Sequence, residues 1–510
     1  MYIYIHDCCE RRSQQRVKPK CEGYMSIDEK KISAIVDQVV SQLAGEKKNT
    51  SPDTRNAIKN ASTKVSSNSF VPEMMGLGCF PDIESAIVAS EKAFYEYQSV
   101  SVEQRKKIIA AIRERCSENI PILSRMAIDE TKLGRYEDKL VKNDVAINRT
   151  PGVEDLEPRT FTGDKGLTLL DLAPYGVIGA ITPCTNPSET IICNTIGMIA
   201  GGNSVAFNPH PSAKKTSVFT VDLINKAIIS AGGPPNLITT VVRPTIESAN
   251  VLMKHPKVKL LVVTGGPAVV AAAMKSGKRV IAAGPGNPPT VVDETADIEK
   301  AAKDIITSAS TDNNIICVVE KNIIVTKHAA DSLKRALVKF GGVEVNSYQT
   351  KRLEKVIVGE DGHPNKNWVG KDVQLILNEV GMEVEASKRL AFAETSGDHP
   401  FAKLELLMPV VPFIRVNDIN EAIDLAYKLE NGCFHTASIH SRNIDHLHKM
   451  AVKMNTSIFV KNGPTLAGLG LGGEGPASFT IASPTGEGVT TARHFTRIRR
   501  CVISGHFRIV

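Results

Sequence analysis

The sequence predicts an α/β protein built on doubly wound parallel sheets. Two observations carry that prediction. From Tyr175 onward, short apolar runs alternate with helical stretches, which is the mark of consecutive βαβ units. The chain also has 510 residues, 42% hydrophobic and 23% charged. That length allows about three domains or subdomains at roughly 150 residues each, and the composition is that of a globular protein with large cores.

The elements follow in order. YGVIGAIT is a strand followed by a helix through 188–200, and VAFN precedes a helix over about 213–231. LITTVV precedes a helix over about 246–254, LLVVT precedes the helical AVVAAAMK, and RVIAA comes next. A second alternating set runs from about 290 to 460, with TVVD, NIIVT and MPVVPFIRV as strands. Ahead of them, residues 1–24 carry no periodic pattern, and Met25 is a candidate natural start. Ser26 and Glu29 have capping-box spacing. Ile32, Ile35, Val36, Val39, Val40 and Leu43 then fall on one helical face, and Gly45 stops it. The Ser-, Asn- and Lys-rich stretch up to Ser69 cannot bury a core and reads as a flexible linker. A short amphipathic helix on such a tether needs a partner for its stripe. That partner is either its own domain or another protein. Its mixed polar face does not suit a membrane surface.

Composition excludes several classes. The net charge of +7 is modest and diffuse, and the basic tail (Arg493, Arg497, Arg499, Arg500, Arg508) has no interleaved aromatics, so nucleic acid is not an expected partner. The ten cysteines include no CxxC pair and no zinc spacing, so no metal is expected and the thiols read as cytosolic and reduced. No apolar run reaches the ~18 residues of a membrane helix, and MYIYIHDCCERR lacks the order of a signal peptide.

Two features point to chemistry. Thr264-Gly265-Gly266-Pro267 joins a strand to a helix, which aims backbone N–H groups at a place fit for a pyrophosphate. It is not a full GxGxxG, and a structural turn has the same form. Cys317 lies after a polar, Asn-rich approach and just before an apolar strand. Alone, such a cysteine reads as a buried structural thiol.

ITPCTNPSE at 181–189 and AAGPGNPPTVV at 282–292 change that reading. With GNSVAFNPHP, VVTGG, DNNIICVVEK, ETSGDHPF and the long KNGPTLAGLGLGGEGPASFTIASPTGEGVTTARHF, they stand in one order across about 71–510. In this the chain resembles the CoA-acylating aldehyde dehydrogenases, in particular those of bacterial microcompartments. The resemblance implies the aldehyde dehydrogenase fold. A Rossmann-like NAD-binding domain would take 71–158 and 172–284, an α/β catalytic domain 285–483, and a small β oligomerisation element 159–171 and 484–510. It implies a homodimer or homotetramer. Residues 1–25 would be an extension and 46–70 a linker. Residues 26–45 resemble an encapsulation helix, docking through 26–44 on shell or core proteins of a microcompartment in the cytoplasm.

The same resemblance assigns roles. Cys317 would attack the aldehyde carbonyl and carry a thioester after hydride transfer. Its backbone N–H and the TPCTNP loop would stabilise the alkoxide, with Thr185 or Asn186 as the second donor. The coenzyme would lie along Thr182, Pro183, Asn208, His210, Thr264, Gly265, Gly266, Ala283, Gly284 and Glu405, the last at the nicotinamide ribose. NAD is the implied coenzyme. NADP is not excluded, because Asn208-Pro209-His210-Pro211 lacks the family glutamate for the adenine ribose, and Lys214 and Lys215 are either a phosphate attractor or a solvated face. Hydrolytic relatives place a water-activating glutamate where this chain has Ala282, which makes coenzyme A the implied acyl acceptor. His399, in GDHPF, is a candidate base, with Asp398 beside it. Gly-rich GLGLGGEGP at 468–476 is either an active-site wall or a packing loop. The competing readings are a hydrolytic aldehyde dehydrogenase and a silent shell-binding scaffold.

Overall fold

Valine, isoleucine and alanine dominate the central strands of the parallel sheets, which are buried on both faces, as parallel sheets covered by helices require. The computed structural model describes residues 76–508. The expected helix at 26–44 and its linker lie outside the described residues.

The first sheet has six parallel strands. In spatial order they are Cys79–Phe80, Ile238–Val241, Ser204–Pro209, Val177–Thr182, Val258–Thr264 and Arg279–Ala283. After the edge strand Cys79–Phe80, the chain enters the middle of this sheet at Val177–Thr182, builds outward one way and then returns to build the other way. The reversal leaves a crevice at the carboxyl ends of Val177–Thr182 and Val258–Thr264, where open α/β sheets bind ligands. Helices Val102–Glu118, Pro187–Ala200 and Lys214–Ser230 pack on one face and Ile83–Tyr97 and Ile246–Lys254 on the other. The four helices between Ile83 and Asn148 went unread in the sequence because their apolar residues are interleaved with charges. Local signals nevertheless start two of them: Asp82 accepts from the Ser85 N–H at 2.8 Å and Ser101 from the Gln104 N–H at 3.2 Å.

The second sheet has seven parallel strands: Gly342–Val345, Leu390–Glu394, Val410–Val416, Asn322–Thr326, Pro289–Val292, Thr436–His440 and Ile458–Lys461. Helices Ile298–Ala309 and Lys327–Lys339 cover one face, and Ile419–Glu430 and Ile444–Met454 the other. A further apolar cluster joins Val145 and Cys193, which belong to helices on the first sheet, to Ile316, Val318, Leu466 and Phe479 around Cys317.

A three-stranded antiparallel sheet holds Arg159–Gly163, Gly166–Pro174 and Thr496–Ser504, the last two paired over nine residues. Phe161, Ile498 and Val502 are exposed on it. The Gly-rich stretch is a packing loop at two of its glycines. A Cβ on Gly468 would meet Ile458 at 2.2 Å, and one on Gly473 would meet the Ala467 carbonyl oxygen at the same distance. No helix among the described residues is long and apolar enough to cross a membrane, and no acid, His and Cys cluster there has the make-up of a metal site.

Candidate active site

The two large sheets present opposite ends to the site. The first contributes residues at the carboxyl ends of its strands, Thr182, Asn208, Thr264 and Ala283. The second contributes residues just before its strands begin: Gly286, Cys317, Glu405 and His435.

The coenzyme candidates cluster at the first edge. Thr182 is buried and its Oγ1 has no partner among the described residues. Its carbonyl accepts from the His210 N–H at 2.9 Å. Thr264 Oγ1 lies 2.9 Å from Thr480 Oγ1, and the Gly265 N–H donates to the Ala283 carbonyl at 3.1 Å. Gly266 caps the helix Pro267–Met274, and a Cβ built on it meets nothing within 4 Å. Open space at a helix N-terminus, with Pro267 at the position whose N–H is not needed, suits a pyrophosphate. Asn208 Oδ1 accepts from Ser248 Oγ at 2.5 Å, so it ties the strand end to the helix Ile246–Lys254. His210 caps the short Pro211–Ala213 turn through Nδ1. Gly284 lies against Pro484. Nothing in the sequence marks Glu130. Its carboxylate takes the N–H groups of Lys215 and Thr216 and so caps the helix Lys214–Ser230 from outside.

Cys317 follows an unusual turn. Asp312, Asn313 and Asn314 take φ values of 50°, 54° and 65° in succession. Asn and Asp tolerate this left-handed region best among residues with a side chain, which explains the polar approach seen in the sequence. Each is held by its side chain. Asn313 Nδ2 donates to the Gly370 carbonyl at 2.9 Å, and Asn314 Nδ2 to the Ala309 and Glu320 carbonyls at 2.7 and 3.0 Å. Asp312 accepts from the Arg135 N–H at 2.8 Å and from both Lys139 and Lys142. Lys321 Nζ donates to Asn314 Oδ1 at 2.7 Å and to the Ile316 carbonyl at 3.0 Å.

Burial, and then the charge of Glu405, push the Cys317 thiol up to about 12, against the opposing pull of Lys321 and Lys142. The cysteine is therefore a protonated thiol at neutral pH. Burial raises Glu405 to about 7, although Lys321 opposes it, and Glu405 accepts from the Gly286 N–H at 3.4 Å. A Cβ built on Gly286 would lie 2.9 Å from both the Cys317 carbonyl oxygen and His435 Cγ, so this glycine separates the thiol's backbone from an imidazole by the width of one methylene. Burial, then Lys321, lowers His435 to about 4. Its Nδ1 lies 2.8 Å from Thr436 Oγ1, its N–H donates to Glu430 at 2.8 Å, and its Nε2 has no partner among the described residues.

The structure joins Cys317, Glu405 and His435 but holds His399 elsewhere. His399 Nδ1 accepts from the Phe401 N–H at 3.2 Å, Nε2 lies 3.4 Å from Glu354, and the ring edge rests on Phe401. Asp398 pairs with Lys403 and Lys428 on the surface. In the TPCTNP loop, Asn186 Nδ2 donates to Thr185 Oγ1 at 3.2 Å, while the Asn186 Oδ1 is buried and has no partner among the described residues. Ala282 is fully buried, with its N–H given to Thr485 Oγ1, and brings no carboxylate. His435 was missed although the Asn431-Gly432 turn stands three residues before it, because an Asn-Gly pair marks a turn and not a site. The signal available was positional: it immediately precedes a strand, as Cys317 nearly does.

The aldehyde dehydrogenase family profile matches residues 78–356. The chain belongs to the aldehyde dehydrogenase family. It is 50% identical over 440 residues to the acetylating acetaldehyde dehydrogenase EutE of Escherichia coli K12, covering 85% of this chain and 94% of that one. The structure of Rhodopseudomonas palustris propionaldehyde dehydrogenase, with bound CoA and an acylated cysteine, is similar with a TM-score of 0.83 at 47% identity, covering 84% of this chain and 98% of that one. A propionaldehyde dehydrogenase from the fucose utilisation microcompartment of Clostridium phytofermentans is similar at 46% identity, with a TM-score of 0.84 over 85% of this chain and 100% of that one. That enzyme has also been solved with one cysteine, and separately one histidine, replaced by alanine. Those two residues stand the same number of positions apart as Cys317 and His435 do in this aldehyde dehydrogenase.

Proposed function

We propose that this chain oxidises acetaldehyde or propionaldehyde with NAD and passes the acyl group from a Cys317 thioester to coenzyme A. The observation that carries the reading is the Cys317, Glu405 and His435 cluster around Gly286, combined with Ala282 where a water-activating carboxylate would stand.

Glu405, which the resemblance placed at the nicotinamide ribose, here takes the Cys317 proton, since a carboxyl near 7 is partly ionised at neutral pH and its charge already acts on the thiol. The thiolate then adds to the aldehyde carbonyl. The resulting alkoxide is stabilised by the Cys317 N–H and by the Thr185 hydroxyl, which Asn186 orients. The Gly265–Gly266 helix terminus would hold NAD, which would supply the hydride acceptor. Loss of hydride leaves the thioester on Cys317. His435, neutral and with Nε2 unpartnered, takes the proton of the incoming CoA thiol. The CoA thiolate displaces Cys317, which regains its proton from Glu405, and His435 releases its proton to solvent. His435 thus takes the base role that the sequence suggested for His399. NADP remains open as a coenzyme, since no carboxylate lies within Asn208–Pro211 to repel a 2′-phosphate.

The test is NADH formation from propanal and NAD with and without CoA. Sustained turnover without CoA, or free carboxylate as the main product, would favour the hydrolytic reading. Cys317→Ala abolishes both half-reactions, and retained activity would remove its assigned role. We also assign residues 26–44 to docking on microcompartment shell or core proteins, and the small sheet with Phe161, Ile498 and Val502 to a homodimer or homotetramer contact. Deleting residues 1–70 leaves activity and abolishes encapsulation. A chain that lost activity with this segment would overturn that assignment.

A further inference from the structure

The mechanism leaves unused a buried ion cluster under the nucleophile. Lys139 and Lys142, on the helix Tyr136–Asn148, are both essentially without solvent exposure. Both ammonium groups donate to the same carboxylate oxygen of Asp312, at 3.0 and 2.5 Å, and both donate to the Thr185 carbonyl, at 3.2 and 3.3 Å. Lys142 also lies 3.5 Å from Glu189, whose nearer oxygen has no hydrogen-bond partner among the described residues. Two lysines are costly to bury, and a fold that needed only packing here would be served by apolar side chains.

The positions of the cluster's two anchors suggest a reason. Asp312 opens the left-handed turn that leads to Cys317. Thr185 is in the loop opposite, where the second oxyanion donor belongs. One pair of ammonium groups therefore fixes the separation between the nucleophile's turn and the oxyanion loop. The cluster also has a sign. The charges acting on the Cys317 thiol are Glu405, which disfavours the thiolate, and Lys321 and Lys142, which favour it. The nearby His435 is neutral. Lys142 keeps its proton despite burial because Asp312 and Glu189 face it, whereas Lys139 is lowered by burial and by Lys142.

We propose that Lys142, braced by Lys139, Asp312 and Glu189, is a positioning residue for acyl-enzyme formation: it clamps the Thr185 loop to the Cys317 turn and supplies part of the positive field under the thiolate. This rests on Cys317 being the nucleophile. A failure of that reading shows separately, as activity retained in Cys317→Ala.

The experiment follows iodoacetamide alkylation of Cys317 against pH in the full-length enzyme, beside single-turnover NADH formation. Lys142→Met moves the alkylation profile to higher pH, about tenfold less reactive thiolate per unit of displacement, and slows NADH formation while NAD affinity stays within about twofold. Lys142→Arg keeps the charge and retains the wild-type profile. Glu189→Gln is isosteric, removes one of the two carboxylates that hold the Lys142 proton, and so moves the profile to higher pH as Lys142→Met does. It remains readable if Lys142→Met fails to fold. Displacement in Lys142→Met and Glu189→Gln with none in Lys142→Arg is what a merely structural role would not produce. A folded Lys142→Met with the wild-type profile and rate, or a Glu189→Gln profile that does not move, overturns the proposal.

Discussion

Gly286→Ala adds one methyl group at the centre of the site. Gly286 is not among the glycines with left-handed backbone, so alanine is conformationally allowed and the effect is steric. The new Cβ would lie 2.9 Å from the Cys317 carbonyl oxygen and 2.9 Å from His435 Cγ. Ordinary contact distances are about 3.5–4.0 Å, so roughly 0.5–1 Å must be found. Neither neighbour is the free end of a flexible chain: one is backbone at the nucleophile and the other a buried ring. Overpacking of this kind costs about 1–3 kcal/mol of stability, which a domain of this size survives. Misplacing a reacting group by 1 Å costs up to about 10²-fold in rate. The expectation is a folded enzyme with near-normal NAD affinity and a ten- to hundredfold drop in rate, by order of magnitude. The assay is rapid mixing with propanal and NAD, followed by CoA, reading NADH and thioester loss separately. A Gly286→Ala enzyme with wild-type rates in both phases would refute the placement of Gly286 between nucleophile and imidazole.

Three further outcomes follow. His435→Gln leaves the first NADH burst largely intact and slows CoA-dependent thioester loss by about 10²-fold or more, the usual contribution of a general base; equal loss in both phases would point to a structural role. Glu405 is raised to about 7, so its ionised fraction grows as pH rises through that value and wild-type acyl-enzyme formation rises with it. Glu405→Gln removes that rise, and a rise of the same midpoint in the variant would assign it to another group. Gly134→Ala places a Cβ 1.8 Å from Asp312 Oδ1 at a φ of +77°. It combines about 1–2 kcal/mol of left-handed strain with a clash at the buried lysine cluster, and is read as a lower thermal midpoint together with slower alkylation of Cys317.

The sequence alone determined the fold class, because βαβ alternation is a local pattern: apolar runs such as VIGAIT and KLLVVT cannot be satisfied except as strands buried on both faces. It also determined which loops matter, since Asn-rich 312–314 announces a left-handed turn that most side chains resist and Gly-Gly-Pro at 265–267 marks an open helix start. It did not determine which side chains meet. His435 and Glu405 lie far from Cys317 in the chain, and only the register of the second sheet brings the starts of Pro289–Val292, Asn322–Thr326, Val410–Val416 and Thr436–His440 to one edge. His399 and His435 looked alike in the chain, each a histidine near a strand. Tertiary contacts gave the first to Glu354 and Phe401 and left the second beside Gly286 with a ring nitrogen that has no partner among the described residues. Lys139 and Lys142 were unreadable for the same reason: on a polar helix two lysines are expected in water, and only the packing of that helix against the Cys317 turn makes them buried ions. Local chemistry is written in neighbouring residues, whereas proton affinity depends on burial and on charges brought close from remote segments.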